Sequence, residues 1–121
     1  MRILLVDDSP VFLGAAGDAL EAAGFEVELA PNGAEGVRLA RKLKPDLIVM
    51  DIEMPVMRGD QAAKEMRCDP DISDIPIIAM TSVSPESLGE DSKLFNDYLI
   101  KPFGFDEMIP KVRSLVGKGP A

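Results

Sequence analysis

The 121-residue sequence contains no histidine, no tryptophan, one tyrosine and one cysteine. Without histidine, the chain has no imidazole of its own to act as a base, a phosphoryl carrier or a metal ligand. A single cysteine, Cys68, excludes an internal disulfide, and no adjacent base is present to activate its thiol. Cys/His metal sites and mechanisms that need an imidazole are therefore excluded, and any oxygen-ligand chemistry must come from carboxylates.

Positive charge is also scarce, because 13 Lys and Arg residues face 21 Asp and Glu residues and leave a formal charge of −8. This charge repels nucleic acids and anionic lipids, so we expect neither a direct nucleic-acid partner nor a membrane partner. The length is sufficient for one domain, and the 46% hydrophobic residues are sufficient for its core. We expect the partners to be proteins, cations, or phosphate held through a cation.

Short hydrophobic runs recur along the chain, at 3–6, 47–50, 75–80 and 98–100. The first run is far too short for a signal peptide or a membrane span, so we expect a cytoplasmic protein. Continuous apolar runs of this length are typical of strands that are buried on both faces. Residues 26–29 instead alternate between polar and apolar side chains, which indicates a strand at the edge of a sheet.

The segment between the first two strands has the spacing of a helix. Ser9 is a suitable N-cap, Pro10 fits the first turn, and Gly24 fits the end of the helix. The residues on its predicted inner face are Val11, Phe12, Ala15, Ala16, Ala19, Leu20 and Ala23.

Similar spacing predicts three more helices, at 33–43, 59–67 and 106–116. Between the fourth and fifth strands the pattern is weaker, because residues 84–95 include few large apolar side chains and a central Gly89. We expect the helix of that segment, the fourth of five, to be short or loosely formed.

This alternation of strands and helices predicts an α/β fold with a five-stranded parallel sheet and helices on both faces. With the alternating strand at an edge, the expected order is 2-1-3-4-5, which is the flavodoxin-like, doubly wound (βα)5 arrangement. In such a sheet, the ligand site forms at the carboxyl ends of the first and third strands. We expect the domain to span 1–117 and to be followed by a short tail at 118–121.

Three carboxylates should meet at that edge, because Asp7 and Asp8 end the first strand and Asp51 ends the third. Packed carboxylates resist ionisation unless a cation joins them, and oxygen ligands without Cys or His favour Mg²⁺ or Mn²⁺ over zinc. Thr81 and Lys101 end the fourth and fifth strands and add a hydroxyl and an ammonium group that can contact phosphate oxygens. Each residue alone would be ordinary, but their joint position at four strand ends predicts a site that handles phosphate.

Along essentially its whole length, the chain resembles the receiver domain of a two-component response regulator, the CheY-like family. The matching motifs are ILLVDDS at 3–9, DLIVMDIEMPVMRG at 46–59, PIIAMTS at 76–82 and DYLIKPF at 97–103. This resemblance implies a phosphorelay signalling function, in which the aspartate that ends the third strand accepts a phosphoryl group. The donor is the phosphohistidine of a sensor histidine kinase or of a histidine phosphotransfer protein. It implies a regulator rather than an enzyme, although one that assists its own phosphorylation and slow dephosphorylation.

The resemblance also implies the metal ligands and the phosphoacceptor. Asp51 corresponds to the phosphoacceptor and to one ligand of Mg²⁺. Asp8 corresponds to the direct metal ligand and Asp7 to its companion, which acts mainly through water. The backbone carbonyl of Glu53 is the remaining expected protein ligand.

A further set of residues corresponds to the switch of the family. Thr81 and Lys101 match the pair that contacts the phosphoryl group, and Tyr98 takes the place of the switch aromatic. The resemblance implies that Thr81 moves toward the phosphoryl group, that Tyr98 turns inward, and that the surface of the fourth helix, fifth strand and fifth helix changes. It also implies a cis peptide before Pro102. We expect an unknown downstream protein to read this surface, with homodimer formation on phosphorylation as one option.

The sequence departs from the family pattern at three points. The interval from Thr81 to Lys101 is shorter than usual, Arg58 replaces a commonly acidic residue, and Glu53 brings a fourth carboxylate to the site. The Glu53 side chain could repel a phosphoryl group or orient an attacking water, and the sequence leaves both roles open. Val83 is apolar and offers little help in positioning that water.

Other functions stay open. A pseudo-receiver would bind partners without phosphate, and the weak fourth helix is its main argument. An aspartate-nucleophile phosphatase would require Asp-x-Asp on the third strand, where this chain has Asp51-Ile52-Glu53. A flavodoxin is least favoured, because the loop after the first strand is not a Gly-rich phosphate cradle. We expect either a single-domain regulator or a receiver domain of a longer protein.

Overall fold

Five parallel strands form one sheet in the order β2-β1-β3-β4-β5, which confirms the predicted flavodoxin-like arrangement. The strands are β1 (Arg2–Val6), β2 (Glu26–Ala30), β3 (Leu47–Asp51), β4 (Ile77–Thr81) and β5 (Asp97–Ile100). The structure, a computed structural model, describes residues 1–54 and 57–116. The predicted domain end at residue 117 and the predicted tail at 118–121 lie outside the described residues.

Different helices cover the two faces of the sheet. On one face lie α1 (Pro10–Ala22) and α4 (Phe105–Val116), and on the other lie α2 (Gly33–Leu43) and α3 (Gly59–Arg67). The continuous apolar runs of the inner strands are buried on both sides for this reason. At the edge, β2 exposes its two glutamates, as its alternating pattern predicts, but Leu29 is also 44% exposed.

The helix boundaries agree closely with the sequence pattern. Both α2 and α3 span the predicted residues, and α4, the predicted fifth helix, begins one residue earlier than expected. At the start of α1, the N-cap Ser9 accepts a hydrogen bond from the backbone N–H of Phe12 at 3.3 Å. Among the described residues, no helix has both the length and the apolar character needed to cross a bilayer.

The inner face of α1 differs from the prediction. The buried residues are Leu13, Ala16, Gly17 and Leu20, whereas Val11 is 83% exposed and Ala15 is also exposed. The prediction that Val11 and Ala15 face inward was therefore wrong. The bulky Leu13 and Leu20 define the buried stripe. The buried Gly17 faces the edge strand β2, where an added Cβ would make an ordinary contact of 3.4 Å with Leu29.

Between β4 and β5, residues Pro85–Leu94 form 3₁₀ turns instead of an α-helix, and we call them the 3₁₀ segment. Gly89 interrupts these turns with φ 58° and ψ −129°, a backbone conformation that favours glycine. No residue of the segment is fully buried. The expectation of a short or loosely formed fourth helix is confirmed, because too few apolar residues are present to hold a continuous helix against the sheet.

Candidate functional site

Three carboxylates meet at the carboxyl edge of the sheet. Asp7 and Asp8 follow β1, and Asp51 ends the adjacent parallel strand β3. One oxygen atom of each carboxylate lies within 4.8 Å of the other two. Asp7 and Asp51 are 4% and 2% exposed, while Asp8 is exposed. Clustered carboxylate oxygens are ligands for a hard divalent cation such as Mg²⁺, so these three residues fit a metal site.

Two hydrogen bonds reach the carboxylate of Asp51, and both are accepted by the same oxygen. Lys101 Nζ donates a hydrogen bond to Asp51 Oδ1 at 3.0 Å, and the backbone N–H of Glu53 donates to the same oxygen at 3.2 Å. Lys101 is placed there because it follows β5 and its own backbone N–H donates to the carbonyl oxygen of Thr81 at 2.8 Å. No hydrogen bond to Asp51 Oδ2 occurs among the described residues, so this oxygen is available to a ligand.

Burial shifts the pKa values of the charged residues in this cluster. Desolvation, helped by the negative charge of Asp51, raises the pKa of Asp7 to about 6. Burial also raises the pKa of Asp51, although the hydrogen bond from Lys101 opposes that rise. For Lys101, burial acts to lower the pKa, but the hydrogen bond and the charge of Asp51 outweigh it and raise the pKa overall. The cluster therefore favours added positive charge near neutral pH.

Thr81 and Glu53 flank the carboxylate cluster from neighbouring strands. Thr81 ends β4, is fully buried, and accepts a hydrogen bond at Oγ1 from the backbone N–H of Val83 at 3.1 Å. The exposed Glu53 follows β3, and its carboxylate accepts a hydrogen bond from Ser82 Oγ at 2.6 Å. This bond is the main reason why the pKa of Glu53 lies below its usual value. Sequence reasoning missed Ser82, although a hydroxyl residue directly after β4 was a visible signal.

The cluster opens into a cavity of about 380 Å³. Its lining residues are Asp7, Asp8, Ser9, Phe12, Asp51, Lys101, Pro102 and Phe103. One wall is apolar, because the rings of Phe12 and Phe103 pack edge to face with centroids 6.0 Å apart. The peptide bond between Lys101 and Pro102 is cis, as the resemblance implied. Sequence reasoning placed Phe12 on the inner face of the first helix and missed the contribution of Phe12 and Phe103 to this wall.

Tyr98 is not among the residues that line this cavity. It lies on β5, is half-buried, and packs edge to face against Phe95 with ring centroids 6.1 Å apart. Its hydroxyl donates a hydrogen bond to the carbonyl oxygen of Ser92, in the 3₁₀ segment. Burial of the ring raises the pKa of Tyr98. The predicted switch residue is thus hydrogen-bonded directly to a segment that has no fully buried residue.

A family model described as the response regulator receiver domain matches residues 3–113. The chain belongs to this family. This receiver domain is 37% identical over 117 residues to protein PilH of Pseudomonas aeruginosa, and the match covers 95% of this chain and 97% of PilH. It is also 37% identical to the DNA-binding dual master transcriptional regulator RpaA of Synechocystis over 118 residues, which cover 95% of this chain but 48% of RpaA.

A solved structure agrees with the fold of the receiver domain. The response regulator protein TrrA from Thermotoga maritima, in complex with Mg²⁺ and BeF, superimposes with a TM-score of 0.84 at 35% sequence identity. The match covers 94% of this chain and 97% of that chain. The chain is thus a CheY-like receiver domain of the kind found in two-component systems, and it spans about half the length of a relative such as RpaA.

Proposed function

We propose that this receiver domain accepts a phosphoryl group on Asp51, in a Mg²⁺-dependent reaction with a phosphohistidine. The donor is a sensor histidine kinase or a histidine phosphotransfer protein. The observation that carries the proposal is the position of Asp51 within 4.8 Å of two other carboxylates and 3.0 Å from Lys101 Nζ. This arrangement places a nucleophilic oxygen of Asp51 beside the ammonium group of Lys101 and beside carboxylate ligands for a metal cation.

The transfer needs no general base. An oxygen of Asp51 attacks phosphorus, the P–N bond breaks, and the imidazole leaves with the electron pair and takes up a proton from water. Asp51 Oδ2 is the oxygen suited to this attack, because Oδ1 is occupied by Lys101 and by the backbone N–H of Glu53. The reaction then depends on alignment and charge neutralisation, which explains why a chain without histidine can perform it.

Asp7, Asp8, Asp51 and the backbone carbonyl of Glu53 are the residues that we propose as ligands of Mg²⁺ or Mn²⁺. When bound, the cation would supply positive charge that offsets the charge of the phosphoryl oxygens. The oxygen donors and the raised pKa of Asp7 support this assignment, because a cation offsets the burial of this carboxylate and its repulsion by Asp51. Lys101, whose Nζ lies 3.0 Å from Asp51 Oδ1, would offset further negative charge on the phosphoryl oxygens.

Phosphorylation would then act as a switch. It replaces a carboxylate by a dianionic group with three acceptor oxygens, and Thr81 would donate its hydroxyl hydrogen to one of them. We propose that Tyr98 then leaves the Ser92 carbonyl and turns inward, so that the surface of the 3₁₀ segment, β5 and α4 changes. A downstream protein would read this surface, with homodimer formation as one outcome.

Mass spectrometry after incubation with acetyl phosphate tests the proposal. We expect one phosphoryl group per chain in the presence of Mg²⁺, and no adduct in Asp51→Asn or in the presence of EDTA. Asp18→Asn is the matched control, because Asp18 is an exposed acid of α1 and should leave the adduct unchanged.

Three results would contradict the proposal. An adduct that persists in Asp51→Asn would place the phosphoryl group elsewhere. Failure to form an adduct with acetyl phosphate, phosphoramidate and a phosphorylated kinase would indicate a pseudo-receiver. Multiple turnover on phosphate esters would indicate a phosphatase.

A further inference from the structure

A hydrogen-bonded pair joins two neighbouring strand ends beside the site. Glu53 lies two residues after Asp51, and Ser82 lies directly after Thr81. Ser82 donates to Glu53 Oε1 twice, from its hydroxyl at 2.6 Å and from its backbone N–H at 3.3 Å. One carboxylate oxygen therefore holds both the side chain and the backbone of Ser82.

This pair acts on the residue that is proposed to contact the phosphoryl group. Ser82 is bonded covalently to Thr81, and the next residue, Val83, donates its backbone N–H to Thr81 Oγ1 at 3.1 Å. In the described chain, Thr81 forms no hydrogen bond with Asp51. The two residues after Thr81 are thus held in a conformation in which its hydroxyl is engaged by its own chain.

These hydrogen bonds favour the conformation of the unphosphorylated chain over that of the phosphorylated chain. The Val83 N–H donates to Thr81 Oγ1 and leaves the hydroxyl hydrogen free, but it holds the side chain in one position. When Thr81 moves toward the phosphoryl group, as proposed above, this hydrogen bond and the chain after β4 must adjust with it. The Glu53 carboxylate opposes this adjustment through its two hydrogen bonds, which are strengthened because the acceptor is charged.

We propose that Glu53 is a positioning residue that holds the unphosphorylated conformation through Ser82, and that this pair separates when Thr81 turns to the phosphoryl group. The inference rests on the proposed function of Asp51. It goes further in that it assigns to the Glu53 side chain a role in the position of the switch, not in the chemistry of transfer.

The affinity for beryllofluoride, a phosphoryl mimic, tests the role of the pair. The whole chain is titrated with beryllofluoride in saturating Mg²⁺, and the fluorescence of Tyr98 is followed. Because the sequence has one tyrosine and no tryptophan, this signal comes from one residue. Loss of a hydrogen bond that favours the unphosphorylated state should tighten binding, by roughly threefold in Ser82→Ala and by about three- to tenfold in Glu53→Ala.

Two variants separate the hydrogen bond from simple charge repulsion. Glu53→Gln removes the charge but keeps an oxygen that accepts from Ser82, so its affinity should stay closer to that of the unchanged chain than to that of Glu53→Ala. The double variant Glu53→Ala/Ser82→Ala should bind no more tightly than Glu53→Ala alone, because the same contact is already lost. Ser87→Ala is the matched control, because the Ser87 hydroxyl contacts Ser84 at 3.3 Å and not Glu53.

The outcomes distinguish the two proposals. If the unchanged chain binds beryllofluoride but Ser82→Ala binds equally or more weakly, the inference about Glu53 is overturned while the proposed function stands. Equal affinities of Glu53→Gln and Glu53→Ala, or additive effects in the double variant, overturn it as well. If the unchanged chain does not bind beryllofluoride in Mg²⁺, the proposed function itself fails.

Discussion

The interior of the sheet and its carboxyl edge are built on opposite principles. Residues 3–6, 47–50 and 77–80 are all apolar and 0% exposed, whereas the adjacent edge buries Asp7, Asp51 and Thr81. Burial of apolar surface stabilises the fold, but burial of clustered carboxylates opposes folding unless a cation offsets their charge. The interior therefore supplies stability, and the edge gives up part of it to hold three carboxylates and a lysine close together.

A second contrast separates α3 from the 3₁₀ segment, which lie next to each other. Ala62, Ala63 and Met66 of α3 are completely buried, whereas the 3₁₀ segment has no buried residue. Polar contacts join the two: Lys64 pairs with Asp91 at 3.3 Å, and Arg67 donates to the carbonyl oxygen of Leu94 at 2.9 and 3.0 Å. Few apolar contacts make the 3₁₀ segment the part of this face that can rearrange at low cost.

The largest expected effect is in the interior. Ile48 is fully buried in β3 between β1 and β4, so Ile48→Ala should lower the free energy of unfolding by about 2–5 kcal/mol. Urea unfolding measures this loss. The matched variant Ile48→Val removes one methyl group and should cost only about 0.5–1.5 kcal/mol. If Ile48→Ala lowered the free energy of unfolding by less than about 2 kcal/mol, the interior would not supply the stability assigned to it.

At the edge, the effect of a substitution should depend on charge and not on volume. Lys101→Met removes the cation that pairs with the buried Asp51, so we expect a loss of about 1–2 kcal/mol at pH 7 in EDTA. The double variant Lys101→Met/Asp51→Asn removes the uncompensated charge as well and should recover most of that stability. Urea unfolding of both variants decides the point: a double variant as unstable as the single one would show that packing, not charge, holds this edge.

Sequence reasoning predicted the interior well, because its signals are strong and local. Continuous apolar runs identified the strands, and the bounds of α2 and α3 agree with their periodicity. In α1 the signal was weak, because small residues dominate the helix and do not distinguish its faces. The inward position of Leu13 was missed for that reason.

Only those features of the site that follow from the strand order could be predicted from the sequence. The strand order brings Asp7, Asp8 and Asp51 to one edge, whatever conformation each side chain adopts. The bonds from Ser82 to Glu53 and from Tyr98 to Ser92 depend on side-chain rotamers and on the path of irregular segments. No periodic pattern in the sequence encodes those features, so the contacts of the proposed switch became visible only in three dimensions.

The smallest effect has the opposite sign, because a polar substitution at the edge should stabilise the protein. In EDTA at pH 7, Asp7→Asn should raise the free energy of unfolding by about 1 kcal/mol, since it removes a buried charge and keeps the oxygen that accepts from the backbone N–H of Ser9. The pKa of Asp7 is about 6 in the folded chain against 3.8 for an unburied aspartate, so the cost of its ionisation to the fold is complete above pH 6 and declines as the pH falls toward 3.8. The advantage of Asp7→Asn should therefore shrink between pH 7 and pH 5 and be lost near pH 4. Urea unfolding at these three pH values measures it, and an advantage that does not change with pH would show that the charge of Asp7 is not its cause.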